Sequence, residues 1–177
     1  ALLAVGPVPF HGQDKSFPGG YTIRAEKAPN ARGVRRVLEA LAGGRPVANA
    51  QGFEQALSSG QYGAAVVTGN YPSNWVTPSM AGALRQVATV VAIDTLPSAL
   101  TEMAAVVLPG AAWVEKSGSF ENAANRLQGF EQAIEPVEFA KSESQIALDL
   151  SAARAGRAAP GYDASATRAE MSKIAGL

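Results

Sequence analysis

The sequence predicts an α/β domain built on a parallel sheet, and three observations carry that expectation. Residues 62–68 (YGAAVVT), 89–93 (TVVAI) and 104–108 (AAVVL) are short runs of small and β-branched residues. Each is apolar throughout rather than alternating, as in a strand buried on both faces of a parallel sheet. Between them lie helical stretches, 77–87 with Met80, Leu84 and Val87 in phase and 97–103 with Pro97 in its first turn. The order strand–helix–strand–helix–strand suits consecutive right-handed βαβ units.

Upstream, Pro7, Pro9, Pro18, Gly19, Gly20 and Pro29 punctuate residues 1–30, leaving room for two short strands at 2–5 and 21–24. A helix follows, with Asn30 as its cap, Val34, Val37, Leu38 and Leu41 at helical spacing, and Gly43 and Gly44 as its stop. Arg32, Arg35 and Arg36 on its other side read as a solvated face, with phosphate binding as the alternative. A second short helix is expected at 52–59, carrying Phe53, Ala56 and Leu57.

Downstream of Pro109 the rhythm stops. Residues 110–140 hold no strong period, and Trp113, Phe120, Phe130 and Phe139 are expected to dock an extended segment onto the sheet domain. Ser142 opens a helix at 144–154, and a terminal helix at 167–177 is anchored by Met171 and Ile174. The chain begins at Ala1 with an apolar stretch that reads as a strand entered in mid-course, so an excised piece of a longer protein is expected, with self-association of the isolated piece through an uncovered apolar face.

Composition narrows the chemistry. The 177 residues carry 15 basic and 15 acidic side chains, a balance that argues against a nucleic-acid surface. Apolar residues make up 47%, enough for a packed core. With no cysteine, this sequence has no disulfide, thiolate zinc site or cysteine-held iron–sulfur cluster, and with one histidine, His11, it has no multi-histidine metal site. No catalytic residue and no metal ligand stands out.

Ligands of open parallel sheets sit beyond the carboxyl ends of the strands. Gly69 and Asn70, followed by Tyr71 and Pro72, lie there, as does Asp94. The Gly69–Asn70 pair reads either as a turn offering N–H groups to a phosphate or as a plain turn. Asp94 reads either as an acceptor for ribose hydroxyls or a guanine edge, or as a cap on the helix that holds Pro97. Neither the Rossmann glycine fingerprint nor the P-loop is present.

A longer pattern adds to this. Asp94, Ser98, Ala104, Val106, Leu108 and Pro109 are followed by Glu115, Gly118, Asn122, Arg126 and Gln128. This resembles the molybdopterin oxidoreductase superfamily, which includes formate dehydrogenase and dimethyl sulfoxide reductase. There a strand ends in D-x-x-x-T-x-T-A-x-x-A-D-V-x-L-P, and a loop E-x-x-G-T-x-x-N-x-x-x-R-x-Q follows. The resemblance covers about residues 21–155, flanked by an irregular segment at 1–20 and a tail with a helix at 156–177. It implies a three-layer Rossmann-like fold of the formate dehydrogenase/DMSO reductase type, and a site for molybdopterin guanine dinucleotide at Gly69, Asn70, Asp94, Ser98, Glu115 and Asn122.

Departures from the pattern bear on that site. Ser98 and Leu100 stand where the family has threonines, Ala105 stands where it has aspartate, and the asparagine of the turn has moved one place. The superfamily also contains a branch without molybdenum, the large iron–sulfur subunit of NADH-quinone oxidoreductase, which the run from Tyr21 to Asn30 is similar to. That branch implies a scaffold with no cofactor of its own in this stretch. Its parent passes electrons through iron–sulfur clusters, sits among respiratory-complex subunits and is peripheral to the cytoplasmic face of the inner membrane.

Overall fold

The computed structural model describes residues 1–28, 30–71, 74–122 and 124–174; Pro29, Pro72 and the last three residues of the expected terminal helix lie outside them. The central feature is a parallel sheet of three strands, β3 (Ala64–Thr68), β4 (Thr89–Asp94) and β5 (Val106–Pro109), side by side in that order. Short antiparallel strands β1 (Lys15–Ser16) and β2 (Thr22–Ile23) precede it, and the hairpin β6 (Gly118–Glu121) and β7 (Leu127–Phe130) follows it. The helices are α1 (Ala31–Leu41), α2 (Ala50–Ser58), α3 (Pro78–Leu84), α4 (Ala99–Met103), α5 (Glu143–Arg154) and α6 (Ala164–Met171). No helix among the described residues is long and apolar enough to cross a membrane.

Helix starts are set by side chains that accept a freed backbone N–H. Asn49 accepts from Gly52, Thr77 from Met80 with Pro78 just inside, and Ser142 from Gln145. Ser98 and Thr101 form a reciprocal pair at the start of α4, so the cap of that helix is Ser98 and not Asp94.

The register aligns Ala65 with Val90 and Val67 with Ala92. Ala65, Val90 and Ala92 share one cluster with Leu57 of α2, Met80 and Leu84 of α3, and Leu100 of α4. All three helices therefore feed one face of the sheet. Side chains alternate along a strand, so the row Val66, Val91 and Val106 belongs to the other face. Val66 is 65% exposed and Val106 46%. The expectation of strands buried on both faces thus holds only in part: Ile93, two residues on from Val91 on that same face, is 6% exposed, while the row through Val66 and Val106 is open. Uniformly apolar runs specified strands, but α2, α3 and α4 gather on one side.

Other expectations also change. Residues 2–5 join no sheet; Ala4 makes a single parallel bridge to Ala48. Asn30 precedes α1 in the left-handed region (φ 72°) and does not cap it through its side chain. Its Oδ1 instead accepts from the Glu121 N–H at 2.7 Å, and its Nδ2 donates to the Ser119 carbonyl. The arginines are not a free solvated face. Arg36 pairs with the buried Glu121 at 2.9 Å, and Arg32 donates to the Asn122 carbonyl. The stretch after Pro109 is folded by a hairpin rather than docked by its aromatics: Phe139 is 83% exposed, while Phe120 and Phe130 pair across β6 and β7, centroids 4.7 Å apart.

Candidate functional site

The carboxyl ends of β3 and β4 converge on Asp94, the last residue of the central strand and only 6% exposed. A buried carboxylate requires donors, and the described residues supply three. Oδ1 accepts from the Asn70 N–H at 3.0 Å and the Thr95 N–H at 2.8 Å; Oδ2 accepts from the Trp75 indole at 3.3 Å.

Close approach of backbone makes this possible. A Cβ on Gly69 would sit 2.7 Å from the Asp94 Cγ, so no larger residue fits there without a shift. Asn70 is left-handed (φ 68°), a conformation asparagine tolerates better than most residues. Its Oδ1 is buried without a hydrogen-bond partner among the described residues, beside Gly110.

A cleft of about 350 Å³ opens at this end of the sheet, lined by Tyr71, Trp75, Asp94, Pro97, Ser98 and Glu102 among others. Its charged groups are the carboxylates of Asp94 and Glu102, and no lysine or arginine is among its described lining residues. The Ser98 hydroxyl accepts from the Thr101 N–H, and the Ser98 N–H donates to the Thr101 hydroxyl, so the Ser98 N–H is spent on the α4 cap.

Glu115 and Asn122 lie apart from this cleft. Glu115, 8% exposed, accepts from the Ala112 N–H at 2.7 Å and the Val137 N–H at 3.2 Å, bracing the turn Trp113–Glu115 against the segment before α5. Asn122 closes the β6–β7 hairpin: its Oδ1 accepts from Ala124 and Arg126, and its Nδ2 donates to Gln128. A smaller cavity of about 170 Å³ lies between α1 and the hairpin, walled by Val37, Leu38, Leu127 and Met171 with Glu121 at its edge.

The model of the molybdopterin oxidoreductase family matches residues 32–153, more than half of the chain. The chain belongs to the molybdopterin oxidoreductase family. It is 31% identical, over 77% of its own length, to the G subunit of NADH-quinone oxidoreductase from Streptomyces coelicolor, of which it covers 21%. It is 38% identical, over 61 residues, to nitrate reductase of Symbiobacterium thermophilum, covering 34% of this chain and 8% of that protein. The chain thus spans only a small part of the relatives it matches.

A molybdopterin oxidoreductase fold implies a dinucleotide cofactor, and the residues of this cleft do not fit one. Phosphates require converging donors or cations. Here two carboxylates and no cation are among the described lining residues, the Ser98 N–H is engaged in the α4 cap, and Leu100, in place of a threonine, is fully buried in the core.

Gly69, Asn70, Asp94 and Ser98 are therefore brought together at one end of the sheet, with Glu115 and Asn122 in separate braces. Sequence reasoning missed Trp75, which completes the Asp94 shell, and the Asn30, Arg36 and Glu121 tie between α1 and the hairpin. No local pattern marks contacts across 19, 85 or 91 residues of chain.

Proposed function

We propose that this chain is a non-catalytic scaffold domain of a protein like the large iron–sulfur subunit of NADH-quinone oxidoreductase. The observation that carries the reading is the Asp94 carboxylate, each of whose oxygens accepts from the same chain, through Asn70, Thr95 and Trp75. The relative from Streptomyces coelicolor supports the choice of branch. In this reading Gly69, Asn70, Asp94 and Ser98 hold the strand ends, while Glu115 and Asn122 hold the following loops, and the domain extends over residues 21–155. The parent passes electrons from NADH through iron–sulfur clusters held elsewhere toward quinone. It packs against neighbouring subunits at the cytoplasmic face of the membrane.

Calorimetric titration with guanosine diphosphate tests this. No saturable heat is expected. Binding that Asp94→Ala abolishes would replace the scaffold reading with a molybdopterin guanine dinucleotide-binding domain like those of molybdenum enzymes such as formate dehydrogenase.

A further inference from the structure

Residues 131–140, between β7 and α5, form a strap that is held by its backbone. The Ala133 and Ile134 N–H groups donate to the Val114 carbonyl, the Val137 N–H to Glu115 Oε1 at 3.2 Å, and the Lys141 N–H to the Pro109 carbonyl. The strap is thus tied along residues 109–115 without spending its large side chains on the core. Trp113, Ile134, Val137 and Phe139 are each more than half exposed. Glu138 holds φ 45° in a turn closed by the Ala140 N–H on the Val137 carbonyl. A residue other than glycine keeps that conformation only where its surroundings hold it, so Val137 and Phe139 are presented by a set backbone.

Single exposed apolar residues are ordinary, but four large ones on two tethered segments form a patch of the kind that marks an interface. Aromatic side chains are its usual anchors. The strap itself carries only acids. Glu131 pairs with Arg168, while the exposed Glu135 and Glu138 are in no ion pair among the described residues. Lys116 and Lys141 on the adjoining chain are already paired, with Glu143 and Asp149. An open indole face attracts a guanidinium, and unpaired carboxylates at a rim select cations and repel anions.

We infer that this patch docks a neighbouring protein segment that sets arginine beside aliphatic residues. The aliphatic groups meet Ile134, Val137 and Phe139, and the guanidinium meets the Trp113 ring and the two unpaired carboxylates. The same charges disfavour an anionic membrane surface, and a second copy docked about a two-fold axis would set acid against acid. The inference goes beyond the scaffold reading and does not rest on it, because a nucleotide at Asp94 would leave this surface as it is.

The test titrates the 177-residue chain with a blocked hexapeptide of alternating leucine and arginine, and with its counterpart carrying glutamate for arginine, while nuclear magnetic resonance follows the two indole N–H groups. The arginine peptide is expected to bind about tenfold or more tightly than the glutamate peptide, shifting the Trp113 signal and leaving that of Trp75 in place. Trp113→Ala is expected to weaken it about fivefold or more, and Glu135→Gln with Glu138→Gln to remove the preference for arginine. Phe17→Ser, in the exposed turn between β1 and β2, is expected to change neither.

No uptake of the arginine peptide, equal affinity for the two peptides, unchanged affinity in Trp113→Ala, an equal loss from Phe17→Ser, or a shift of Trp75 without Trp113 would each overturn the inference. So would a sedimenting dimer that Trp113→Ala dissolves, or binding to phosphatidylcholine vesicles that it abolishes, since either names another occupant. Should Trp113→Ala not fold, the peptide preference and the indole shifts of the parent chain decide. Guanosine diphosphate binding would strike the scaffold reading instead, so the two failures are distinguishable.

Discussion

Gly69 lies against the carboxylate of Asp94 so closely that a methyl group on it would come within 2.7 Å of the Asp94 Cγ. That approach lets the following N–H, of Asn70, reach Oδ1. A glycine at the end of one strand thus creates the environment of an acid at the end of the next.

Gly69→Ala is expected to destabilise the fold by about 1–3 kcal/mol, the range for overpacking at a site with little room to shift. Urea denaturation of the variant and the parent chain measures it. An unchanged midpoint would show that the strand ends part without cost.

Asp94→Asn preserves shape but replaces one acceptor oxygen with a donor. The amide cannot accept from the backbone and the Trp75 indole on both sides, so one donor is left facing another. A loss of about 1–3 kcal/mol is expected, with a change in the near-ultraviolet circular dichroism of tryptophan. A variant of parental stability would mean that the carboxylate's charge and second oxygen are dispensable.

Arg36 and Glu121 join α1 to the hairpin at 2.9 Å, with the Glu121 side chain 4% exposed and that of Arg36 35%. Removing either partner has unequal consequences. Arg36→Leu strands a buried carboxylate and is expected to cost about 3 kcal/mol, at the lower end for broken buried pairs because the arginine is partly solvated. Glu121→Gln leaves an arginine that water can reach and is expected to cost less. Thermal melts of both variants check the order; a reversed order would contradict it.

Two surface carboxylates titrate below the ordinary 3.8. Asp14 is held down by the Ala25 N–H and then by Arg24, and Asp149 by Lys141 and then by Gln145. Their folded values are depressed, so their small stabilising share is present above 3.8 and lost as pH falls through the lower folded values. Carbon-13 titration of the side-chain carboxyls is expected to place both midpoints below 3.8, and Lys141→Ala is expected to move that of Asp149 upward.

Much of the sheet was legible because its signals are local. Uninterrupted runs of valine and alanine marked β3, β4 and β5, and the helix starts expected at Thr77 and after Ser142 fell within a residue or two. The β6–β7 hairpin was not legible. Its turn depends on the Asn122 side chain bonding two backbone N–H groups and on Asn125 at φ 60°, and a turn between short polar strands carries no apolar period. At the candidate site, the position of Asp94 at a strand end was legible, but its third donor was not.

By itself the sequence determined the parallel strands, the helices between and around them, their order, and the family pattern from Asp94 to Gln128, because propensity, periodicity and spacing are properties of neighbouring residues. The tertiary structure alone decided that α2, α3 and α4 share one face of the sheet, that Asn30 binds a hairpin instead of capping a helix, and that an indole closes the shell of Asp94. Those outcomes depend on which distant groups pack together, and a buried charge takes whatever donor the completed fold brings within reach.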